Sequence, residues 1–254
     1  MWKAAQLAVQ GEGHCTSGTP CQDKTYVLKA EDAIVVALAD GAGSAKHSEI
    51  GAECVTQTVC RLLMENFDRY FETEYAASVA TELLTKLQEE LSLVASNGGY
   101  EFRDMASTLL AVAVKDERFM TMHIGDGVIG GLKGDRLLVM SLPDNGEFIN
   151  VTTFVTSPDA ISHLRLDKGE LEDISAFILM SDGTAEGMYQ RGTQSLIPAF
   201  ERLIHATKIM PIVEVEEQLR ENMRDTLCKV TMDDCSLILL VDGVESVLET
   251  VSSD

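Results

Sequence analysis

"VVALADGAGS" (residues 35–44) decides how the rest of the chain is read. Its first half is a continuous apolar run, the pattern of a strand buried on both faces. The run stops at Asp40-Gly41 and gives way to small residues. The same ending returns in "MTMHIGDGV" (120–128), "AFILMSDGT" (176–184) and "LILLVDGV" (237–244). Asp-Gly is a common turn dipeptide, so any one of these reads adequately as a plain turn. Four strand-like runs that end alike admit a second reading, in which aspartates gather at one sheet rim.

Upstream, "AAQLAVQ" (4–10), "KTYVLKA" (24–30) and "AIVVALAD" (33–40) read as strands separated by Gly-, Ser- and Thr-bearing loops. Downstream, Ile50, Val55, Val59, Leu62, Leu63 and Phe67 recur at helical spacing. Val79, Leu83, Leu87 and Leu91 lie four apart and predict a second helix. Residues 107–142 then contain four short β-type runs, with turns at 115–117, 125–127 and 133–135, which predicts an antiparallel meander. Residues 146–174 are loop-rich. "AFILMSD" (176–182) reads as a buried strand, helices are expected near 194–208 and 212–227, and "SLILLVD" (236–242) as a last strand. Strand–helix alternation is missing, which argues against a doubly wound parallel sheet. The order suits antiparallel sheets packed together with helices outside.

The 254 residues are ample for one large core, and no linker-like tract divides them, so a single domain over 1–254 is expected. Forty-one acidic against twenty basic residues give a formal charge of −21, a field that repels phosphate backbones and anionic lipid. Nucleic-acid and membrane-surface partners are therefore not expected. No apolar stretch reaches membrane-spanning length, and the start is too short and interrupted for a signal peptide. The six cysteines form no CxxC pair and no zinc spacing, so free thiols in a reducing cytoplasm are expected. Cys54 and Cys60 fall in a helical pattern and read as small buried apolar side chains.

Carboxylates held together repel, and their pKa values rise, unless a cation neutralises them. Hard ions such as Mg²⁺ and Mn²⁺ take oxygen ligands and often keep several waters. The glycine after each aspartate lets the backbone turn and bring a carbonyl oxygen close. The spacing thus points to an oxygen-ligand metal site, with strand-end turns as the plain alternative.

Six stretches carry a family resemblance: "CQDK" (21–24), "ADGAGS" (39–44), "MASTLLAVAV" (105–114), "HIGDGVIGGLKGD" (123–135), "FILMSDG" (177–183) and "DDCSLILL" (233–240). In this order they resemble the metal-dependent Ser/Thr protein phosphatases of the PP2C type (the PPM family), and "GEFINVTTFVTSPDA" (146–160) resembles the bacterial branch. Each motif is weak alone; six in sequence over nearly the whole chain are specific. The resemblance implies an α-β-β-α sandwich, two antiparallel sheets flanked by helix pairs. It implies hydrolysis of phosphoserine and phosphothreonine by a water activated between two Mn²⁺ or Mg²⁺ ions. Asp40 would bridge the two ions and the Gly41 carbonyl would help hold one. Asp182 and Asp233 would complete the second ion's ligands, Asp23 would act near the ions directly or through water, and Asp126 would help hold a third ion of the kind many bacterial members carry. Asp40, Asp182 and Asp233 are thus the catalytic candidates, through the water their ions hold. The implied partners are a phosphorylated protein and a cognate Ser/Thr kinase whose work is reversed, with substrate choice in a flap over about 142–170.

Three departures stand out. Many members carry a His directly after the first Asp-Gly, as general acid; here the residue is Ala42, and His47 and His14 are the nearest histidines in sequence. The arginine that grips phosphate is absent from "GHCTSGTPCQD" (13–23), where His14 or Lys24 could substitute. The closing Asp-Asn is Asp233-Asp234, leaving Asp234 either a support behind the ligands or a turn residue. The departures raise an alternative function, a weak or inactive regulator that binds a phosphoprotein or kinase. "MSDGT" (180–184) also resembles the DxDGT motif of haloacid-dehalogenase-type phosphatases, but Met180 occupies the nucleophile's position. Asp242 is expected to be a plain turn, and His123 to face a polar side of its sheet.

Overall fold

The computed structural model describes residues 1–144, 152–229 and 231–243. The chain opens with strand β1 (Trp2–Val9), a short helix α1 (Glu12–Ser17), and strands β2 (Lys24–Lys29) and β3 (Ala33–Ala39). Two long helices follow, α2 (Ser48–Glu72) and α3 (Ala76–Gly98). Then come β4 (Leu109–Lys115), β5 (Arg118–Ile124), β6 (Val128–Lys133), β7 (Arg136–Ser141), α4 (Ala160–His163), β8 (Arg165–Glu170) and β9 (Ile174–Met180). The last part contains α5 (Asp182–Met188), a small hairpin of β10 (Tyr189–Gln190) and β11 (Ser195–Leu196), α6 (Ala199–Ile209), α7 (Ile212–Asp225) and β12 (Cys235–Asp242).

The strands form two five-stranded antiparallel sheets, ordered β1-β12-β9-β6-β7 and β2-β3-β4-β5-β8. Side chains alternate across a strand, and here both faces are apolar. In β3, Ile34, Val36 and Leu38 point inward to meet Phe177, Leu179, Ile238 and Leu240 of the opposite sheet. Val35, Ala37 and Ala39 point outward onto α2 and α3, joined by Ala111 and Ala113 of β4. The other sheet turns Leu237, Leu239 and Val241 outward onto Phe200, Ile204, Val215 and Leu219 of α6 and α7. Four layers result, with three apolar seams. This is the expected α-β-β-α sandwich. The many alanines on the α2 face let that helix lie close, and Gly51 closer still: a Cβ there would stand 2.0 Å from the Met105 carbonyl oxygen.

The expected meander over 107–142 divides in two. β4 pairs with β5 in one sheet and β6 with β7 in the other, and β5 and β6 do not pair. The turn between them is a crossing between sheets. Gly125 takes φ +109 there, beside the Thr108 side chain, a backbone shape few other residues tolerate. Several elements had no sequence signal: α1, α5 and the β10–β11 hairpin are each too short for periodicity, and β8 ("RLDKGE") is an edge strand with no buried residue. The helix expected over 194–208 begins at Ala199, after that hairpin. Of the flap expected over 142–170, residues 145–151 lie outside the described ones. Asp242 ends β12 opposite Trp2, beside the chain's amino terminus, as a plain strand end. Among the described residues no helix is long and apolar enough to cross a membrane.

Candidate active site

The central strands of both sheets end at one rim, and that rim carries the carboxylates. β3 delivers Asp40, whose amide donates to the Thr108 hydroxyl (2.9 Å) while its carbonyl accepts from the Thr108 amide (2.8 Å). Gly41 bridges to Ser107 and the Ala42 amide reaches the Ala106 carbonyl at 2.9 Å, so the loop after Asp40 is held as a continuation of the ladder. β9 runs out at Met180, and Asp182 opens α5, where its Oδ1 accepts from the Gly183 amide at 2.6 Å. A Cβ at position 183 would sit 2.2 Å from the Asp234 carbonyl oxygen. The glycine therefore allows the 233–234 loop to press against Asp182. Asp126 follows the inter-sheet crossing, and Asp233 precedes β12.

These groups meet. A cleft of about 310 Å³ is lined by Asp40, Gly41, Asp126, Asp182 and Asp233, together with His14, Ala42, Thr108, Thr152 and Phe154. Asp23 lies beneath it, 1% exposed, and neither of its carboxylate oxygens has a hydrogen-bond partner of ordinary geometry among the described residues. Burial pushes its carboxyl up to about 7; the charges of Asp234 and Asp182 add to the rise, while the nearby Ser236 and Ser181 hydroxyls oppose it. Asp40 is driven well above the usual carboxylate range by burial first, then by the charges of Asp23, Asp182 and Asp233. Asp182 is raised as well, again chiefly by burial, with Asp126 and Asp233 contributing. So many acids in one low-dielectric place are a cost to the folded chain unless positive charge joins them.

Asp234 has a different role from Asp233. It is 3% exposed, and its two oxygens accept from the Gly11 amide (2.8 Å) and the Gln22 amide (2.6 Å). It therefore pins the loops on either side of α1 and fixes the approach to Asp23. His14 Nδ1 stands 2.9 Å from Asp234 Oδ2, at an angle too poor for a hydrogen bond, and the ring reaches the cleft from α1. Lys24 does not line the cleft: its Nζ donates to the Cys21 carbonyl at 2.6 Å. His47 stacks on Tyr100, 3.9 Å between ring centroids, also away from the cleft.

His123 departs from expectation. It is 1% exposed, in the space between the sheets. Nε2 lies 2.9 Å from the Gly125 carbonyl, while Nδ1 faces the Ser141 hydroxyl at 2.8 Å and Arg165 Nη2 at 3.0 Å. Only a neutral ring that donates from Nε2 and accepts at Nδ1 satisfies all three. Burial, then the Arg165 charge, lowers its pKa to about 3. Alternation with Met122 and Ile124 correctly set it on the opposite face, but both faces of this sheet are covered. Thr152, whose hydroxyl donates to Asp126 Oδ2 at 2.6 Å, and Thr108 were not foreseen as site residues; a threonine in a β-type run carries no distinguishing signal.

A family model described as protein phosphatase 2C matches residues 10–228. The chain belongs to the protein phosphatase 2C family. Serine/threonine-protein phosphatase 3 of Escherichia coli (strain K12) is 26% identical over 183 residues, 69% of this chain and 72% of that one. A bacterial serine phosphatase has a similar fold, with a TM-score of 0.69 at 15% identity over 96% of this chain and all of that one. RsbX in complex with magnesium is more distant, at TM-score 0.56 and 13% identity over 94% of both chains.

Metal dependence accompanies membership of this PP2C family, and the donors present fit it. They are oxygens throughout and mutually repelling, from the exposed Asp233 through the part-buried Asp40, Asp126 and Asp182 to the buried Asp23, which is unsatisfied. Among the described residues no three His, Cys, Asp or Glu side chains stand close enough together to hold an ion as they are. An open carboxylate rim suits hard ions that keep much of their water better than it suits zinc, which takes four close nitrogen or sulfur ligands in structural sites.

Proposed function

We propose that this PP2C-family chain, acting as one domain over residues 1–254, hydrolyses phosphoserine and phosphothreonine in proteins with two Mn²⁺ or Mg²⁺ ions. The observation that carries the reading is the convergence of Asp40, Asp126, Asp182 and Asp233 on one cleft, with Asp23 buried below. Asp40, the Gly41 carbonyl, Asp182 and Asp233 would hold the two ions. Asp126 would serve a third ion, and Asp23 would balance charge from beneath. The chemistry such ions supply is charge for the phosphoryl oxygens and a water acidic enough to attack near neutral pH.

The chain's own residues do the rest. The Thr108 clasp on Asp40 and the α5 terminus under Asp182 hold the carboxylates still, which suits phosphoryl transfer, a reaction that asks mainly for positioning and charge compensation. Asp234 keeps Asp233 and the Asp23 loop in register. His14 reaches the cleft as the phosphate-side candidate; Lys24, tied to its own loop, does not. The substrate is a phosphorylated protein, and a Ser/Thr kinase that makes it is the implied partner. The reading predicts Mn²⁺-dependent phosphate release from a phosphothreonine peptide by the wild type and its loss in Asp40→Asn. Tight phosphopeptide binding without turnover would instead favour a non-catalytic regulator.

A further inference from the structure

One wall of the acidic cleft is apolar. Ala42, Ala45 and Ala106 are each 8% exposed and form a small cluster of their own with the half-buried Phe154, separate from the three seams of the sandwich. The cluster lies where the chain has least use for it as a core. Ala42 follows Asp40-Gly41 directly, and Ala42 and Phe154 line the same cleft as the carboxylates.

The backbone that carries the ring is tied down. The Phe154 amide donates to the Ser157 hydroxyl at 2.9 Å, the Ser157 amide returns a bond to the Phe154 carbonyl at 3.0 Å, and the next residue, Val155, donates to the Ser107 carbonyl at 2.9 Å. This closed turn ties Phe154 to the start of β4, beside Thr108 and hence Asp40. A half-exposed aromatic side chain on a hydrogen-bonded turn, in the lining of the cleft that holds the four aspartates, offers a surface to a ligand with an apolar part.

We infer that Phe154 and Ala42 form the specificity wall of the site, and that the preferred substrate carries a large apolar side chain flanking its phosphorylated residue. The inference rests on the phosphatase reading above, because the phosphate is taken to lie on the acidic side of the same cleft. The two halves of the site have complementary demands: the carboxylate half, once neutralised by cations, takes the phosphate dianion, and the Phe154 half takes hydrocarbon. Acidic flanks on a substrate would instead meet a chain of formal charge −21.

The test uses phosphothreonine peptides flanked on both sides by Leu, by Gly or by Asp. Their non-hydrolysable phosphonate analogues carry a fluorophore for anisotropy with the Mn²⁺-loaded protein. The expected result is binding and kcat/KM for the Leu peptide about five- to tenfold above the Gly peptide, mostly in KM, from partial burial of one or two side chains. Phe154→Ala brings the Leu/Gly ratio close to one, which a merely structural role for the ring would not do, and Phe154→Leu restores most of it. Equal binding of the Leu and Gly analogues, or a ratio untouched by Phe154→Ala, overturns the inference. Selective binding without hydrolysis of any peptide would sustain the wall and sink the phosphatase reading, so the two failures are separable.

Discussion

In the presence of a chelator, Asp23→Asn should make the protein more stable, and more so as the pH rises. Asp23 is buried with its pKa raised from 3.8 to about 7. The folded chain thus keeps this proton to a higher pH than the unfolded chain does. Between those two values unfolding releases a proton, so stability falls as pH rises. The full rise is roughly three units, and each unit corresponds to about 1.4 kcal/mol. Asparagine has the shape of the protonated acid and no titration. The variant should therefore exceed the wild type by about 2 kcal/mol at pH 5 and about 4 kcal/mol at pH 8. His123, with its pKa lowered to about 3, makes both proteins less stable in acid and cancels from the comparison. Urea titrations in EDTA at the two pH values measure the gap, and saturating Mn²⁺ should reverse the order at pH 8. A variant less stable than the wild type at pH 8 in EDTA, or a gap that narrows with pH, would refute the claim that these acids are held against their own repulsion.

Asp40→Asn and Asp182→Asn should each cut Mn²⁺-dependent turnover by more than about a hundredfold and reduce the number of ions counted by calorimetry; undiminished ion binding would detach those residues from the metal role. Asp234→Ala strands the Gly11 and Gln22 amides in a buried place and should cost about 3 kcal/mol or more in chelator, read by urea denaturation. Gly51→Ala, a change that stabilises ordinary helix interiors, should here destabilise by at least about 2 kcal/mol, because the new methyl would meet the Met105 carbonyl. A gain in melting temperature for that variant would show that α2 can shift outward without penalty.

The long elements were legible because their periodicity ran far enough to be distinctive. The stripe from Ile50 to Phe67 became α2, the four-residue spacing of Val79, Leu83, Leu87 and Leu91 became α3, and every strand read as apolar on both faces sits inside the sandwich. What escaped was partner choice. Residues 107–142 show four strands plainly, yet nothing in their composition tells that the chain changes sheets at Gly125, since a hairpin turn and a crossing both ask for glycine. The acids at strand ends were visible as Asp-Gly doublets, and Asp234 as the neighbour of Asp233, whereas Thr108 and Thr152 act through a backbone amide or single hydroxyls and leave no spacing pattern. His14 and Lys24 looked equivalent in sequence; only the course of α1 separates one at the cleft from one folded back on its own carbonyls.

Among the described residues β1 makes its ladder with β12 alone, Trp2 opposite Asp242 and Val9 opposite Cys235. During synthesis β1 must wait until β12 has left the ribosome before it finds its neighbour. Until then its apolar face, and the unpaired edge of β9, stay available to wrong associations, the situation in which chaperones are most needed. The acidic rim is likewise completed last, when Asp233 arrives, so a nascent chain cannot gather its full set of carboxylates before the sandwich that must restrain them is closed.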